Sequence, residues 1–205
     1  MRTRFRLVCS LLFAALLLPL SLGAQLRIIP QGGLYVPVAD LGTVSSTEGA
    51  WDVGKRESSF AYGLTLESSG AGALAFRFSG IYGSDSEVPV GGIGCEGNTC
   101  NLRSTVLGLS AGIALRVLPR GSPLRPYLVA GGGIKRYDFD FRADSPVKDA
   151  LGEEAKAAAV LGLGFDWDIG VLRGIVELTD YISGPLLEGG DRQHGFFLTV
   201  GLVLG

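Results

Sequence analysis

From residue 26 to the end of this 205-residue chain, apolar side chains recur at every second position. One stretch shows the rule well. Leu107, Leu109, Ala111, Ile113, Leu115 and Val117 alternate with Ser104, Val106, Gly108, Ser110, Gly112, Ala114 and Arg116. A period of two is a strand. A soluble sheet would bury its apolar face against a second layer and turn its polar face to water. Here the interleaved face is made of serine, glycine and an arginine, and segment after segment repeats the arrangement. Backbone groups in lipid must all be paired within the protein, so strands cross a bilayer only as a closed ring. Apolar residues outside with small or polar ones inside are the signature of that ring.

The chain opens with Arg2, Arg4 and Arg6, continues with an apolar run from Leu7 to Leu22, and leaves it through Ser21-Leu22-Gly23-Ala24. A basic start, an apolar middle and a small-residue exit predict a secretory signal peptide over residues 1–24, cleaved after Ala24. Residues 25–205 form the single mature domain, and Cys9 leaves with the signal. Losing three arginines and no acids leaves 15 basic against 20 acidic residues, a net charge of about −5. Nucleic acid, which calls for a basic face, is excluded as a partner. After residue 24 no apolar run reaches the ~20 residues of a membrane helix. The positive mean hydropathy therefore comes from alternate positions.

Glycine is abundant, 32 residues in all, about double the usual ~7% share. Many fall on the predicted inner face: Gly33, Gly63, Gly83, Gly108, Gly112, Gly162, Gly164 and Gly201. A narrow barrel needs small inward residues to relieve crowding and let strands bend.

Eight strands are predicted, over residues 26–36, 59–67, 73–83, 102–118, 126–141, 156–167, 174–183 and 194–205. The long polar connections (37–58, 84–101, 142–155, 184–193) alternate with short turns near 68–72, 119–124 and 168–173. Long loops outside the cell and short turns in the periplasm are the barrel pattern, and an even count returns both termini to the periplasm. Tyr127 and Tyr137 are ten residues apart, roughly 33 Å along a strand and about 25 Å once tilted by ~40°, which suits two outward aromatic girdles. The faces of the fifth and seventh strands stay open, because Lys135 or Arg136, and Asp180, meet lipid in one register or the other; a bulge would resolve this. Lys148–Val160, alanine-rich with Glu153 and Glu154, reads as a short loop helix.

Three pieces carry a resemblance: Pro30-Gln31-Gly32-Gly33-Leu34-Tyr35-Val36-Pro37 running to Asp40-Leu41-Gly42, Arg125-Pro126-Tyr127-Leu128 with Ala130-Gly131-Gly132-Gly133, and the alternating last strand. With them the mature chain resembles the small eight-stranded outer-membrane barrels of the OmpA, OmpX and OmpW types. The resemblance implies an all-β, antiparallel up-and-down transmembrane barrel in the cell outer membrane. Its implied partners are outer-membrane lipid, lipopolysaccharide and, during insertion, the barrel-assembly machinery, with the barrel itself a monomer. Such barrels end on Phe or Trp, whereas this chain ends Val203-Leu204-Gly205.

Chemistry-bearing residues are few. Cys95 and Cys100, an even pair in an exported chain, predict a disulfide in an outside loop. Six charges fall on inner faces near the periplasmic end: Arg27, Glu67, Arg77, Arg116, Asp166 and Glu177. Balanced three against three in a narrow lumen, they predict an ion-pair plug, since an unpaired buried charge is costly. His194 has no serine two residues on and reads as a solvated loop residue, one short of a triad. Gly131-Gly132-Gly133 lacks the strand-to-helix setting of a phosphate loop. No catalytic, cofactor or metal site is expected. The reading is a noncatalytic outer-membrane barrel with a structural or surface-interaction role. Passage of a small hydrophobic solute, as proposed for OmpW-like proteins, is the alternative, and a lipid-modifying enzyme is a more distant one.

Overall fold

A computed structural model describes residues 25–46, 49–69, 73–92, 99–119, 122–140, 154–187 and 189–205. The predicted signal peptide and Cys95 lie outside them, as does the side chain of Cys100. Ten strands are present: β1 (Gln25–Pro37), β2 (Gly42–Ser46), β3 (Gly49–Val53), β4 (Ser59–Ser69), β5 (Leu74–Gly92), β6 (Thr99–Arg116), β7 (Leu124–Asp140), β8 (Glu154–Ile169), β9 (Leu172–Ser183) and β10 (Gln193–Leu202). Eight of them form the ring. Each of β4 to β10 pairs antiparallel with its sequence neighbour, and β1 pairs with both β4 and β10, which closes the sheet. The segment expected as a loop helix contributes Glu154–Val160 to β8 instead, where Ala155, Ala157 and Ala159 face outward, Ala158 faces inward, and the strand pairs with β7.

The pairings fix the barrel's geometry. Leu26 opposes Ser68, and from there Phe76, Ile113, Ala130, Leu161, Asp180 and Phe196 follow across successive strands back to Val36 of β1. One circuit thus advances ten residues along β1. A shear of that size over eight strands implies a tilt of about 40° and a radius of about 8 Å. The interior is just wide enough for side chains to fill. At that curvature some inward positions touch the neighbouring backbone: a Cβ at Gly33 would collide with the Leu198 carbonyl, and one at Gly112 with that of Ala130.

Outward stripes read as anticipated on β6, β8 and β10, with Leu161, Leu163, Leu198 and Val200 among many exposed apolar residues. β7 differs from the girdle expectation. Tyr127 and Tyr137 are buried inside the barrel with Lys135, and Leu128, Ile134 and Arg136 take the outer face. No bulge intervenes. The register is fixed because Lys135 finds backbone carbonyls in the lumen, whereas Arg136 stands at the upper end of its stripe. Outward aromatics sit elsewhere: Phe60, Tyr62 and Phe76 on β4 and β5, the Tyr62–Tyr82 ring pair 5.1 Å apart, and half-buried Trp167 near the short-turn end. Below Trp167 the chain reverses through Gly170, whose φ of 63° is a left-handed turn conformation that glycine adopts at no steric cost.

At the long-loop end β5 and β6 run on past the ring, and a second hairpin, β2–β3, extends the sheet through β3–β5 pairing at Trp51–Val53. Its inward residues Val44, Trp51 and Val53 pack with Leu41, Val88, Val90, Leu102 and Leu186, and this core is continuous with the upper-lumen residues Tyr35, Tyr137, Tyr181 and Phe197. This cap was hidden inside the polar 37–58 connection.

Candidate functional site

Among the described residues, buried polar groups converge in the lumen, which is filled in layers. At the short-turn end all six predicted charges come together. Glu67 accepts from Arg116 Nη2 at 2.7 Å and from Arg27 Nη1 at 3.4 Å, and its other oxygen lies 3.9 Å from Arg77 Nε. Asp166 accepts from Arg116 Nε at 2.7 Å, with Arg27 Nη1 at 3.7 Å. Arg77 Nη1 donates to Glu177 at 2.5 Å, and the Tyr127 hydroxyl donates to the same oxygen at 2.7 Å. The Tyr127 ring sits 5.6 Å from both the Arg77 and Arg116 guanidinium carbons, a cation–π arrangement.

Sequence reasoning missed a seventh member. Arg125, buried beside Pro126, reaches Asp166 at 3.2 Å and Asp168 at 3.9 Å; Asp168, nearer the rim, also pairs with Arg173 at 3.4 Å. The signal was present, since Arg125 shares its parity with Tyr127. Reading Tyr127 as outward placed Arg125 outward too. With it the buried cluster holds four guanidinium groups against three carboxylates, so the balance of three and three is replaced by a surplus of positive charge.

Above the charges lies a belt of hydroxyls and amides. Thr199 donates to Gln31 at 3.2 Å, Gln31 to Thr65 at 3.2 Å, and Thr65 and Ser79 share a bond of 2.8 Å. Ser110 meets the Tyr181 hydroxyl at 2.9 Å. Between them is a cavity of about 20 Å³ lined by Gln31, Ser79, Ser110, Glu177, Thr179 and Thr199 among others, room for about one water.

Higher still, aromatic rings close the bore. Phe197 packs on Tyr35 at 4.7 Å and on Tyr181 at 5.4 Å, both within the range of favourable ring contacts. The Tyr35 and Tyr137 hydroxyls are 3.5 Å apart. Lys135 Nζ, fully buried, donates to the carbonyls of Tyr181 at 3.1 Å and Gln193 at 3.5 Å and lies 5.5 Å from the Tyr137 ring.

Arg56, from the strap between β3 and β4, seals the mouth. Its Nε donates to the Ser104 hydroxyl at 2.8 Å, and its Nη2 to the Ser104 carbonyl at 2.7 Å and to the Ser84 carbonyl. Ser84 lies where the β5–β6 register shifts between Gly83 and Ser86, so the guanidinium satisfies a carbonyl in the bulge, where the regular ladder is interrupted. Burial pushes the Arg56 pKa down from its usual value, against the opposing influence of Tyr35 and Tyr137. Arg56→Ala should leave those carbonyls without their charged donor and cost about 1–3 kcal/mol. Proteolysis at the 54–58 strap, with the barrel itself intact, would register the loss.

His194 is not a loop residue. It heads the outward stripe of β10, and its Nδ1 lies 2.7 Å from Asp180 on β9. No hydroxyl is bonded to it, and among the described residues no group of His, Cys, Asp and Glu could hold a metal ion.

No family model and no curated protein matches this sequence. Solved structures do. The Neisserial surface protein A aligns over 89% of this chain and 98% of its own, with a TM-score of 0.54 and 14% identity. The N-terminal β-barrel domain of Pseudomonas aeruginosa OprF covers 88% and 99%, with a TM-score of 0.45 and 15% identity. Yersinia pestis Ail covers 87% and 98%, at 0.47 and 11%. The chain has the fold of the small eight-stranded outer-membrane barrels. Nothing about ligands passes across at these identities.

Proposed function

We propose that the protein is an integral outer-membrane barrel with a noncatalytic role in envelope structure or surface contact, its lumen permanently closed. The filled lumen carries this reading: ion cluster, hydroxyl belt, aromatic layer and strap succeed one another, and the cavity between them has room for about one water. An upper lumen that is apolar and open would favour solute passage; here it is apolar but occupied by Tyr35, Tyr137, Tyr181 and Phe197. Lipid-modifying chemistry has an oriented histidine in its favour, but among the described residues no hydroxyl or thiol is bonded to it. Outer-membrane lipid and the assembly machinery are the partners this reading requires, and a disulfide between Cys95 and Cys100 would brace the β5–β6 connection.

Refolded protein in a planar bilayer should carry no steady current. A stable open level in the parent chain would overturn closure and favour the transport alternative. Orientation is read separately, with single cysteines at Ser45 in the cap and Ser122 in a short turn. A membrane-impermeant maleimide on intact cells should label position 45 and spare 122 in a background lacking Cys95 and Cys100. The reverse pattern would invert the topology.

A further inference from the structure

An ionisable pair on the lipid-facing side of a membrane protein calls for an explanation, because apolar residues would be cheaper there. Asp180 and His194 are such a pair. The outward stripe of β9 runs Leu172, Gly174, Val176, Leu178, Asp180, Ile182, and Asp180 opposes Phe196 while Ile182 opposes His194. Asp180 thus lies one residue pair below the top of an otherwise apolar stripe. Its side chain is 14% exposed, against 38% for His194.

The carboxylate is fully engaged. One oxygen meets His194 Nδ1 at 2.7 Å, and the other accepts the Gly195 backbone N–H at 3.1 Å. Phe196 stacks against the imidazole, rings 6.3 Å apart and 19° from parallel, which fixes its plane. With Nδ1 held, Nε2 is the free nitrogen. In the imidazolium form both nitrogens donate, so Nε2 offers a charged N–H at the upper rim of the apolar belt. Two residues before it, Arg192 is exposed and has no ion-pair partner among the described residues. Below and beside them the surface is apolar, with Val36 at the end of β1 and Val38 just past it both exposed.

We propose that Arg192 and His194 form a binding site for a lipid phosphate in the outer leaflet, with Asp180 as a positioning residue that aims the imidazole. An exposed guanidinium and, in its protonated form, an imidazolium stand at the upper rim of the apolar belt, over a column of exposed apolar residues. Guanidinium and imidazolium both bind phosphate oxygens through charge-assisted bonds. The phosphate belongs to a glycolipid such as lipid A or to a glycerophospholipid; the recognising chemistry is the same. The proposal rests on the outer-membrane reading of the barrel.

The chain contains a single histidine, so ring nitrogen resonances report on His194 alone. Histidine-¹⁵N-labelled protein, refolded in neutral detergent, would be titrated with lipid A, with dephosphorylated lipid A, with phosphatidylglycerol and with an uncharged diacylglycerol. Nε2 should move saturably with at least one phosphorylated lipid, and the half-saturation point shows which phosphate is preferred. The dephosphorylated and uncharged lipids should bind at least about tenfold more weakly, a factor worth 1.4 kcal/mol. Arg192→Gln, at an exposed site, should weaken the response by about tenfold while the barrel stays folded, as judged by its heat-modifiable gel mobility. Asp180→Asn should remove the preference for phosphate. No shift in a folded barrel, or equal shifts with and without phosphate, would overturn the site. Failure of the same protein to insert into lipid vesicles is a different result, and strikes at the membrane reading instead.

Discussion

Glu67→Gln should lower the stability of the refolded barrel by about 3–5 kcal/mol, the usual cost of stripping one partner from a buried ion pair. Glu67 touches Arg27, Arg77 and Arg116, and its side chain is 2% exposed. The amide keeps the shape but leaves the cluster's four guanidinium groups with two buried carboxylates, Asp166 and Glu177. Attraction between unit charges 4 Å apart at an effective dielectric near 20 is about 4 kcal/mol before desolvation, so the loss is large against a typical domain's total stability. Urea titration in lipid vesicles reads it directly. A second change, Arg116→Met, removes one of the stranded cations and should recover part of the loss. A midpoint for Glu67→Gln equal to the parent's would mean that the cluster contributes nothing as a plug.

The second large effect concerns the outside. Leu163 lies mid-stripe on β8, 50% exposed, with Leu161 above and Phe165 below it. Leu163→Arg should cost about 2–4 kcal/mol in a bilayer, because a charge near the midplane has no partner there. Ser110→Ala, facing the lumen, loses its bond to Tyr181 and should cost about 1 kcal/mol. Equal losses in the two variants would mean that the faces of the ring are exchanged.

How much of this was legible in the sequence depended on what each strand faced. β6 and β10 alternate leucine, isoleucine and phenylalanine with glycine, serine and threonine, so their faces could be read from composition alone. β7 could not be read in that way. Its even positions hold leucine, alanine, glycine and arginine, and its odd ones valine, glycine, lysine and tyrosine. Either set could face lipid, since tyrosine serves both as a girdle and as lumen packing. Lys135 and Arg136 cancel each other as markers. What decides the register is the pair of carbonyls that Lys135 finds on strands that are not its neighbours, Tyr181 on β9 and Gln193 on β10, and no local pattern foretells them. Arg125 was lost by the same ambiguity. Five of the six other cluster residues lie on strands with unambiguous stripes; the sixth, Glu177, lies on the strand whose face Asp180 left open, and only the register places it inside. The cap went unseen because β2 and β3 are only five residues each, set among glycine and polar residues, and their apolar face answers a core built from distant segments. Asp180 and His194 were visible as letters, but their bond joins diagonal positions on two strands and needed the register.

The circuit of pairings has a kinetic meaning as well. β1 bonds to β10, so the first strand made must wait for the last, and Arg27 must wait for Asp166, 139 positions downstream. Until then both strands are open edges, the kind of surface that recruits the wrong partner. Contacts of such sequence separation form slowly, since the loop must close before any of them is rewarded. A chain with this topology gains little from partial assembly. Its ring and its charge cluster become complete in the same event, and the time before that event is when it depends on being shielded.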